Sequence, residues 1–308
     1  MFVRFLLVMI FVFHSYAAFA SSIVSEVFPL ERNGVKLYLE RMQTSDGAPS
    51  NQILLVHGLT YSSHEFDVNV GDYSLARYLA NNGYSVWLLD IAGYGRSEKV
   101  TDGFMPNSDY AAEDIAAAAK LMIETSGQEK IDILGWSWGT VTSGRFAAKY
   151  PDMVNKVVLY APILAGLAEI EVTDPFIIPT WAHAASDFQV KEDKTIDYDI
   201  VEPNVADAFL SNCWRYDGAG SPNGGRRDLL VSPENRLIPT ASIKIPTLMI
   251  LGDKDEYISV ELCKEVLGSL TECSVLEVIP GAAHAMMMEK PYYKAFREAV
   301  LKFLQEEL

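Results

Sequence analysis

Residues 131–139 read IDILGWSWG, an apolar run followed by a serine with a glycine two positions away on each side. The run has the length and composition of a buried strand, and the residues that follow it to Tyr150 have a helical pattern. A G-x-S-x-G at such a junction is typical of a nucleophile elbow, in which the serine lies on a tight, strained turn. Gly135 and Gly139 leave room for the crossing backbone, so the pattern predicts that the Ser137 hydroxyl projects above a sheet.

Strands and helices alternate on both sides of this junction. A hairpin that turns at Asn33-Gly34 is followed by apolar runs typical of strands at 53–57, 84–90, 131–135, 156–162, 247–252 and 274–280. Helical patterns lie at 75–83, 108–127 and 291–308. This rhythm predicts an α/β fold, a mostly parallel central sheet with helices on both faces.

The alternation breaks once, between Pro162 and Ile245. A segment of this length is too long for a bare connection. We interpret residues 164–242 as an inserted, mainly helical cap over the carboxyl ends of the strands, which divides the core into residues 21–163 and 243–308. The cap tryptophans Trp181 and Trp214 have two interpretations: they pack inside the cap, or they line an apolar substrate pocket.

A nucleophilic serine needs a base and an orienting acid. His284 follows the last predicted strand, and Asp253 and Asp255 follow the strand before it. Ligands of open parallel sheets bind at the carboxyl ends of the strands, where all these residues are expected. His57, Asp90 and Ser137 also occur in the order of a chymotrypsin-like protease, but that fold is all-β. We therefore interpret His57 as a loop-shaping residue and Asp90 as a structural carboxylate.

With these motifs, residues 50–163 and 243–306 resemble the α/β-hydrolase superfamily, specifically esterase-like or lipase-like serine hydrolases with an inserted cap. The resemblance rests on His57-Gly58, on the loop from Asp90 to Ser97, on Gly252-x-x-Asp255, on Gly281-x-x-His284 and on the serine elbow. It implies a triad of Ser137, Asp255 and His284. It also implies an oxyanion hole formed by the backbone N–H groups of Leu59 and Trp138, with no cofactor. Asp253 is then a loop carboxylate that caps a turn or faces solvent.

The resemblance predicts hydrolysis of carboxylic esters through an acyl-enzyme. A serine puts in doubt the superfamily members that use an Asp nucleophile. A thioesterase, a lactonase, a carbon–carbon bond hydrolase and a prolyl-aminopeptidase-like peptidase remain open, although that peptidase carries H-G-G-P-G where this chain has His57-Gly58-Leu59-Thr60. A hydrolase-like binding protein without activity is a further alternative. The expected partner is a small-molecule ester with an apolar acyl group, and no metal site is predicted.

The net charge of the chain indicates which partners it disfavours, and its N-terminus indicates where the protein is located. The chain has 25 Lys and Arg against 41 Asp and Glu, a net charge of −16, which argues against a nucleic-acid partner and against docking on an anionic membrane. Residues 1–20 contain the apolar run FLLVMIFVF and end in small residues, the pattern of a signal peptide cleaved after Ala20. The run is too short to span a bilayer, so we expect an exported protein without a stable membrane anchor.

Export implies an oxidising compartment, and the chain has three cysteines, Cys213, Cys263 and Cys273. An odd number allows at most one intramolecular disulfide. The spacing permits a Cys263–Cys273 bridge, and the alternative is three buried free thiols.

Overall fold

The computed structural model describes residues 22–47 and 51–307, so the predicted signal peptide lies outside the described residues. The strands are β1 Ile23–Arg32, β2 Val35–Thr44, β3 Asn51–Val56, β4 Tyr84–Asp90, β5 Ile131–Trp136, β6 Val154–Tyr160, β7 Phe176–Ile177, β8 Ser221–Pro222, β9 Thr247–Gly252 and β10 Val275–Ile279. The helices are α1 Leu75–Asn81, α2 Ser108–Ser126, α3 Trp138–Lys149, α4 Trp181–Ala185, α5 Pro203–Asp217, α6 Gly224–Leu229, α7 Val260–Leu267 and α8 Tyr293–Gln305.

Eight strands form the central sheet in the order β1-β2-β4-β3-β5-β6-β9-β10. β1 pairs with β2 and β2 with β4 in antiparallel fashion, whereas the other neighbours are parallel. The inner strands β3 to β6 are almost wholly buried, as expected for a parallel sheet with both faces covered. The predicted fold class, an α/β fold with a mostly parallel sheet, is confirmed.

Local sequence signals explain where these elements begin and end. Asn33 and Gly34 have φ values of 52° and 79°, the left-handed backbone that a two-residue hairpin turn requires. The side chain of Asn107 accepts the Tyr110 N–H at the start of α2, and Gly127 ends that helix with a φ of 71°. The capping residue of α2 is therefore Asn107 and not the Ser or Asp that follows it.

The chain between β6 and β9 contains α4, α5, α6 and the small β7–β8 ribbon. We call residues 164–242 the cap. These bounds are those predicted from the sequence, and they stay a prediction. The buried carboxylate of Asp217, at the end of α5, ties the cap to loops of the core. It accepts hydrogen bonds from the backbone N–H and the hydroxyl of Ser62, from the Gly95 N–H and from His64 Nε2.

All three cysteines are free, so the Cys263–Cys273 bridge does not form. The alternative of three buried thiols is also wrong in one respect, because Cys213 and Cys263 are buried but Cys273 is exposed. Among the described residues, no helix has both the length and the apolar character needed to cross a membrane.

Candidate active site

Ser137 occupies the junction between β5 and α3 with φ 57° and ψ −121°, a backbone conformation that costs energy for a residue with a side chain. The two flanking glycines make this turn possible. A methyl group on Gly135 would collide with the backbone of Gly139, and one on Gly139 would collide with the Val56 carbonyl. The Ser137 N–H donates to the Tyr160 carbonyl at 3.0 Å, which fixes the turn on the sheet.

His284 and Asp255 lie together after the last two strands. The Nδ1–H of His284 donates to Asp255 Oδ2 at 2.8 Å, and the other oxygen of Asp255 accepts the Tyr257 N–H at 2.9 Å. Both side chains are buried. With Nδ1 protonated, the neutral ring keeps a free lone pair on Nε2, the form that a general base requires.

Neighbouring negative charges favour the doubly protonated, positively charged form of His284. Burial by itself lowers the pKa of His284, but the charge and hydrogen bond of Asp255 outweigh it and raise the pKa above the usual value. Asp187, from the cap, and Glu289 add further negative charge in the same direction. The histidine is thus a stronger base than a free imidazole.

Asp253 takes no part in this pair. Its side chain is exposed, and its Oδ1 accepts the Gly281 N–H at 2.7 Å across the two loops. It is therefore a loop carboxylate that holds the loop preceding His284.

The backbone N–H groups of Leu59 and Trp138 have no hydrogen-bond acceptor within residues 22–47 and 51–307. Gly58, beside Leu59, packs against Ser137, since a methyl group there would lie 3.3 Å from the Ser137 Cβ. The buried Glu65 accepts the Gly58 N–H at 2.8 Å and holds this loop. Both free donors therefore belong to segments that meet at Ser137, as an oxyanion hole requires.

His57 and Asp90 have structural contacts. His57 Nδ1–H donates to the Gly58 carbonyl at 2.8 Å, and its Nε2 accepts the Ile91 N–H at 3.1 Å. Asp90 accepts the backbone N–H groups of Ser63 and Arg96, each at 2.9 Å. Neither side chain lines the cavity at Ser137, so both shape loops around the site.

One cavity of about 210 Å³ reaches both Ser137 and His284. Its apolar wall comes from core and cap together, and consists of Leu59, Trp136, Ile163, Leu167, Leu229 and Leu230. Its polar wall consists of Thr60, Tyr61, Glu65, His183, Asp187, Arg226 and Tyr257. Of these polar residues, only Thr60 belongs to a motif that the sequence reveals, the loop His57-Gly58-Leu59-Thr60. An isolated charged residue in an irregular insert carries no signal of where it points.

Both interpretations of the cap tryptophans are wrong. Trp181 is 54% exposed and Trp214 is 62% exposed, so neither packs inside the cap. They flank a separate shallow groove on the cap surface, with Tyr61 and Leu210 between them, and not the cavity at Ser137. The buried aromatic residues of the cap are Phe188 and Phe209.

Within the described ranges, no group of three or more His, Cys, Asp or Glu side chains is arranged to hold a metal ion. The groups around Ser137 are of the kinds that acyl transfer uses: a strained serine, a histidine bonded to a buried carboxylate, and two free backbone donors.

The chain is similar to known proteins in both sequence and fold. A family described as serine aminopeptidase, S33, matches residues 47–291. The chain is similar to a non-heme haloperoxidase of Rhodococcus erythropolis, 25% identical over 254 residues that cover 78% of this chain and 88% of the relative. It is also similar to a bifunctional esterase/perhydrolase of Acinetobacter calcoaceticus, 23% identical over 247 residues that cover 76% and 85%. A solved bromoperoxidase from Bacillus anthracis has the same fold, with a TM-score of 0.69 at 20% identity over 92% of this chain and all 100% of that one.

Proposed function

The chain belongs to the serine aminopeptidase S33 family of α/β-hydrolases, and we propose that it is an exported serine hydrolase that cleaves carboxylic esters of small molecules. Ser137 is the nucleophile, His284 the general base and Asp255 the orienting acid. The observation that carries the proposal is one cavity lined by both Ser137 and His284, with His284 bonded to the buried carboxylate of Asp255.

The reaction follows from the positions of these groups. Neutral His284 takes the proton of Ser137 as the serine oxygen attacks the ester carbonyl, and Asp255 stabilises the imidazolium that forms. The N–H groups of Leu59 and Trp138 donate to the negative oxygen of the tetrahedral intermediate. His284 then protonates the leaving alcohol, and water, activated by the same histidine, releases the acid. No hydrogen bond of the Ser137 hydroxyl is present among the described residues, and catalytic hydrogen bonds often shorten only when substrate is bound.

A serine nucleophile favours esters over the epoxides that some structural neighbours cleave. Attack of a serine oxygen on an epoxide carbon gives an ether, which water does not hydrolyse. Attack on an ester carbonyl gives an acyl-enzyme, which water does hydrolyse. The esterase/perhydrolase relative supports the same choice.

A second candidate is an aminopeptidase, favoured by the description of the matching family and by Asp187 in the cavity wall. Burial, with Asp255 nearby, raises the pKa of Asp187 to about 6. This value is still below neutral pH, so the carboxylate remains charged and can attract an α-ammonium group. The oxyanion loop His57-Gly58-Leu59-Thr60 lacks the second glycine and the proline of the prolyl-aminopeptidase pattern, which weakens this candidate.

Export rests on the N-terminal sequence, because residues 1–20 have the pattern of a cleaved signal peptide. Expression of the full chain in a bacterial host, followed by N-terminal sequencing of the exported product, should give a protein that starts at Ser21. A product that keeps Met1 would contradict export by this route.

The test of the activity is a panel of p-nitrophenyl esters from acetate to palmitate, with prolyl and alanyl p-nitroanilides and an acyl thioester beside it. Ester hydrolysis should dominate, and an organophosphonate should inhibit it and label Ser137. Ser137→Ala should lower kcat by about 10⁶-fold, whereas the exposed Ser25→Ala on β1 should match the wild type. Faster hydrolysis of the anilides than of the esters, or a label on another residue, would overturn the proposal.

A further inference from the structure

Arg226, in the cap, has no acidic partner. Its Nη1 donates to the Asn223 side chain and its Nη2 to the Thr60 hydroxyl, each at 2.8 Å. No carboxylate lies within 4 Å of its guanidinium among the described residues, although the chain has 41 acidic residues and most partly buried arginines in it form ion pairs. A guanidinium has five N–H donors, so three of them remain available.

The setting makes this cation costly without an anion. Burial lowers the pKa of Arg226, which means that water solvates its charge poorly. An unpaired charge in such a place is unfavourable unless it is matched by an opposite charge. Arg226 lines the same cavity as Ser137, so a ligand in that cavity is the available partner.

A second group beside Arg226 also lacks a partner. The hydroxyl of Tyr61 is buried and makes no hydrogen bond among the described residues, and Tyr61 lines the same cavity. Burial raises the pKa of Tyr61, so the phenol keeps its proton and can donate it to an acceptor. The Thr60 hydroxyl, which accepts from Arg226, lies 3.3 Å from His183 Nε2 and completes this polar wall.

The carboxylates of the cavity do not neutralise Arg226. The negative charge of Asp187 acts on both His284 and Tyr61, but Asp187 forms no ion pair with Arg226 among the described residues. Burial raises the pKa of Glu65 well above its usual range and favours the uncharged carboxyl, which holds the Gly58 N–H.

We infer that Arg226 and Tyr61 bind a carboxylate of the substrate, so that the preferred substrates are short esters that carry a carboxylate, such as monoesters of dicarboxylic acids. The inference rests on the proposed ester hydrolysis. Arg226 donates to Thr60, the residue after Leu59, so its guanidinium lies beside the loop that carries the proposed oxyanion donor. The cavity of about 210 Å³ has room for a short chain beside Arg226.

Binding tests the subsite without catalysis. Titration calorimetry of the full exported chain with glutarate, and with its neutral diamide, should detect binding of glutarate only. Arg226→Gln should weaken glutarate binding by about tenfold or more, in line with a charge-assisted hydrogen bond. Arg227→Gln is the matched control, since Arg227 is exposed on the next position of α6 and stacks 4.4 Å from the Phe104 ring. Equal affinity of all three proteins would overturn the inference.

Turnover tests it with substrates. The kcat/KM ratio of monomethyl glutarate to methyl 5-methylhexanoate compares a carboxylate with an apolar group of the same shape on the acyl side. Acetoxyacetate against isobutyl acetate makes the same comparison on the alcohol side. In at least one of these two comparisons, the wild type should have a higher kcat/KM for the anionic ester than for the apolar ester. Arg226→Gln should reduce this kcat/KM ratio by about tenfold to a hundredfold. Arg226→Lys should retain part of the preference, because the charge stays but the planar fork is lost.

The outcomes separate the two claims. Ser137-dependent cleavage of neutral esters with no anion preference in either arm overturns the subsite and leaves the ester hydrolase standing. Glutarate binding that depends on Arg226, without cleavage of any ester, supports the subsite and overturns the proposed reaction. Melting temperatures of the variants identify any that fail to fold, and Arg226→Lys then provides the comparison.

Discussion

Asn substitutions at two neighbouring aspartates give the sharpest test of the mechanism. In Asp255→Asn the amide oxygen can still accept the Tyr257 N–H, but the group that faces His284 Nδ1 becomes an NH₂ donor. His284 must then accept at Nδ1 and carry its proton on Nε2, the atom that has to take the proton of Ser137. The wrong tautomer is worth about 10⁴ in kcat in the serine-protease case, or about 5.5 kcal/mol.

Asp253→Asn removes the same charge two residues away and should matter little. The asparagine oxygen can still accept the Gly281 N–H, so the loop before His284 keeps its anchor. The side chain is exposed, where the loss of a charge is screened by solvent. We expect a loss of less than about tenfold, roughly 1.4 kcal/mol.

The assay is the initial rate of p-nitrophenyl acetate hydrolysis at one alkaline pH, with circular dichroism and melting temperature for each variant. A folded Asp253→Asn enzyme that is crippled beside a nearly normal Asp255→Asn enzyme would refute the assignment of the acid. Ser137 and His284 would keep their roles in that case.

Three further outcomes are expected. The pKa of His284 is raised and the base works only when neutral, so kcat/KM should fall as the pH drops through a midpoint above about 6.5; a rate that is flat down to pH 5 would contradict this. Asp217→Ala strands several buried donors at a cost of about 3 kcal/mol, so calorimetry should show a melting temperature lower by roughly 5–10 °C, while Asp207→Ala on the exposed face of the same helix should change little. Trp181→Ala and Trp214→Ala should leave the ranking of acyl chain lengths unchanged, because both side chains are exposed and away from the cavity; a changed ranking in the ester panel would contradict the structure.

Features set by neighbouring residues were predictable from the sequence. Strand β9 has the bounds that its apolar run predicts, and the hairpin turns at Asn33-Gly34 because those residues tolerate positive φ. The elbow at Ser137 was predictable for the same reason, since its glycine spacing reflects close backbone contacts within one strand, turn and helix. The predicted strand 156–162 instead spans Val154–Tyr160, because Ala161, with a φ of 51°, ends the extended backbone.

Features set by distant residues were not predictable. Whether Trp181 and Trp214 pack inward depends on which side of a short, irregular helix faces the core, and the cap has no clear periodicity to show it. The free donors of Arg226 become visible only when its neighbours are known, because a missing ion pair leaves no trace in the sequence. The role of Asp217 likewise depends on a loop more than a hundred residues earlier in the chain.

The position of His284 at the margin of the sheet has a consequence for how activity is lost. It follows β10, an edge strand whose ladder contacts are all with β9, and only one of whose five side chains is buried. Edge elements open at lower free energy than the buried centre of a sheet. In rising denaturant, hydrolysis should therefore decline before helical ellipticity does. Local unfolding of this sheet edge would displace His284 and abolish activity, while the turn that carries Ser137, at the end of the central strand β5, stays folded.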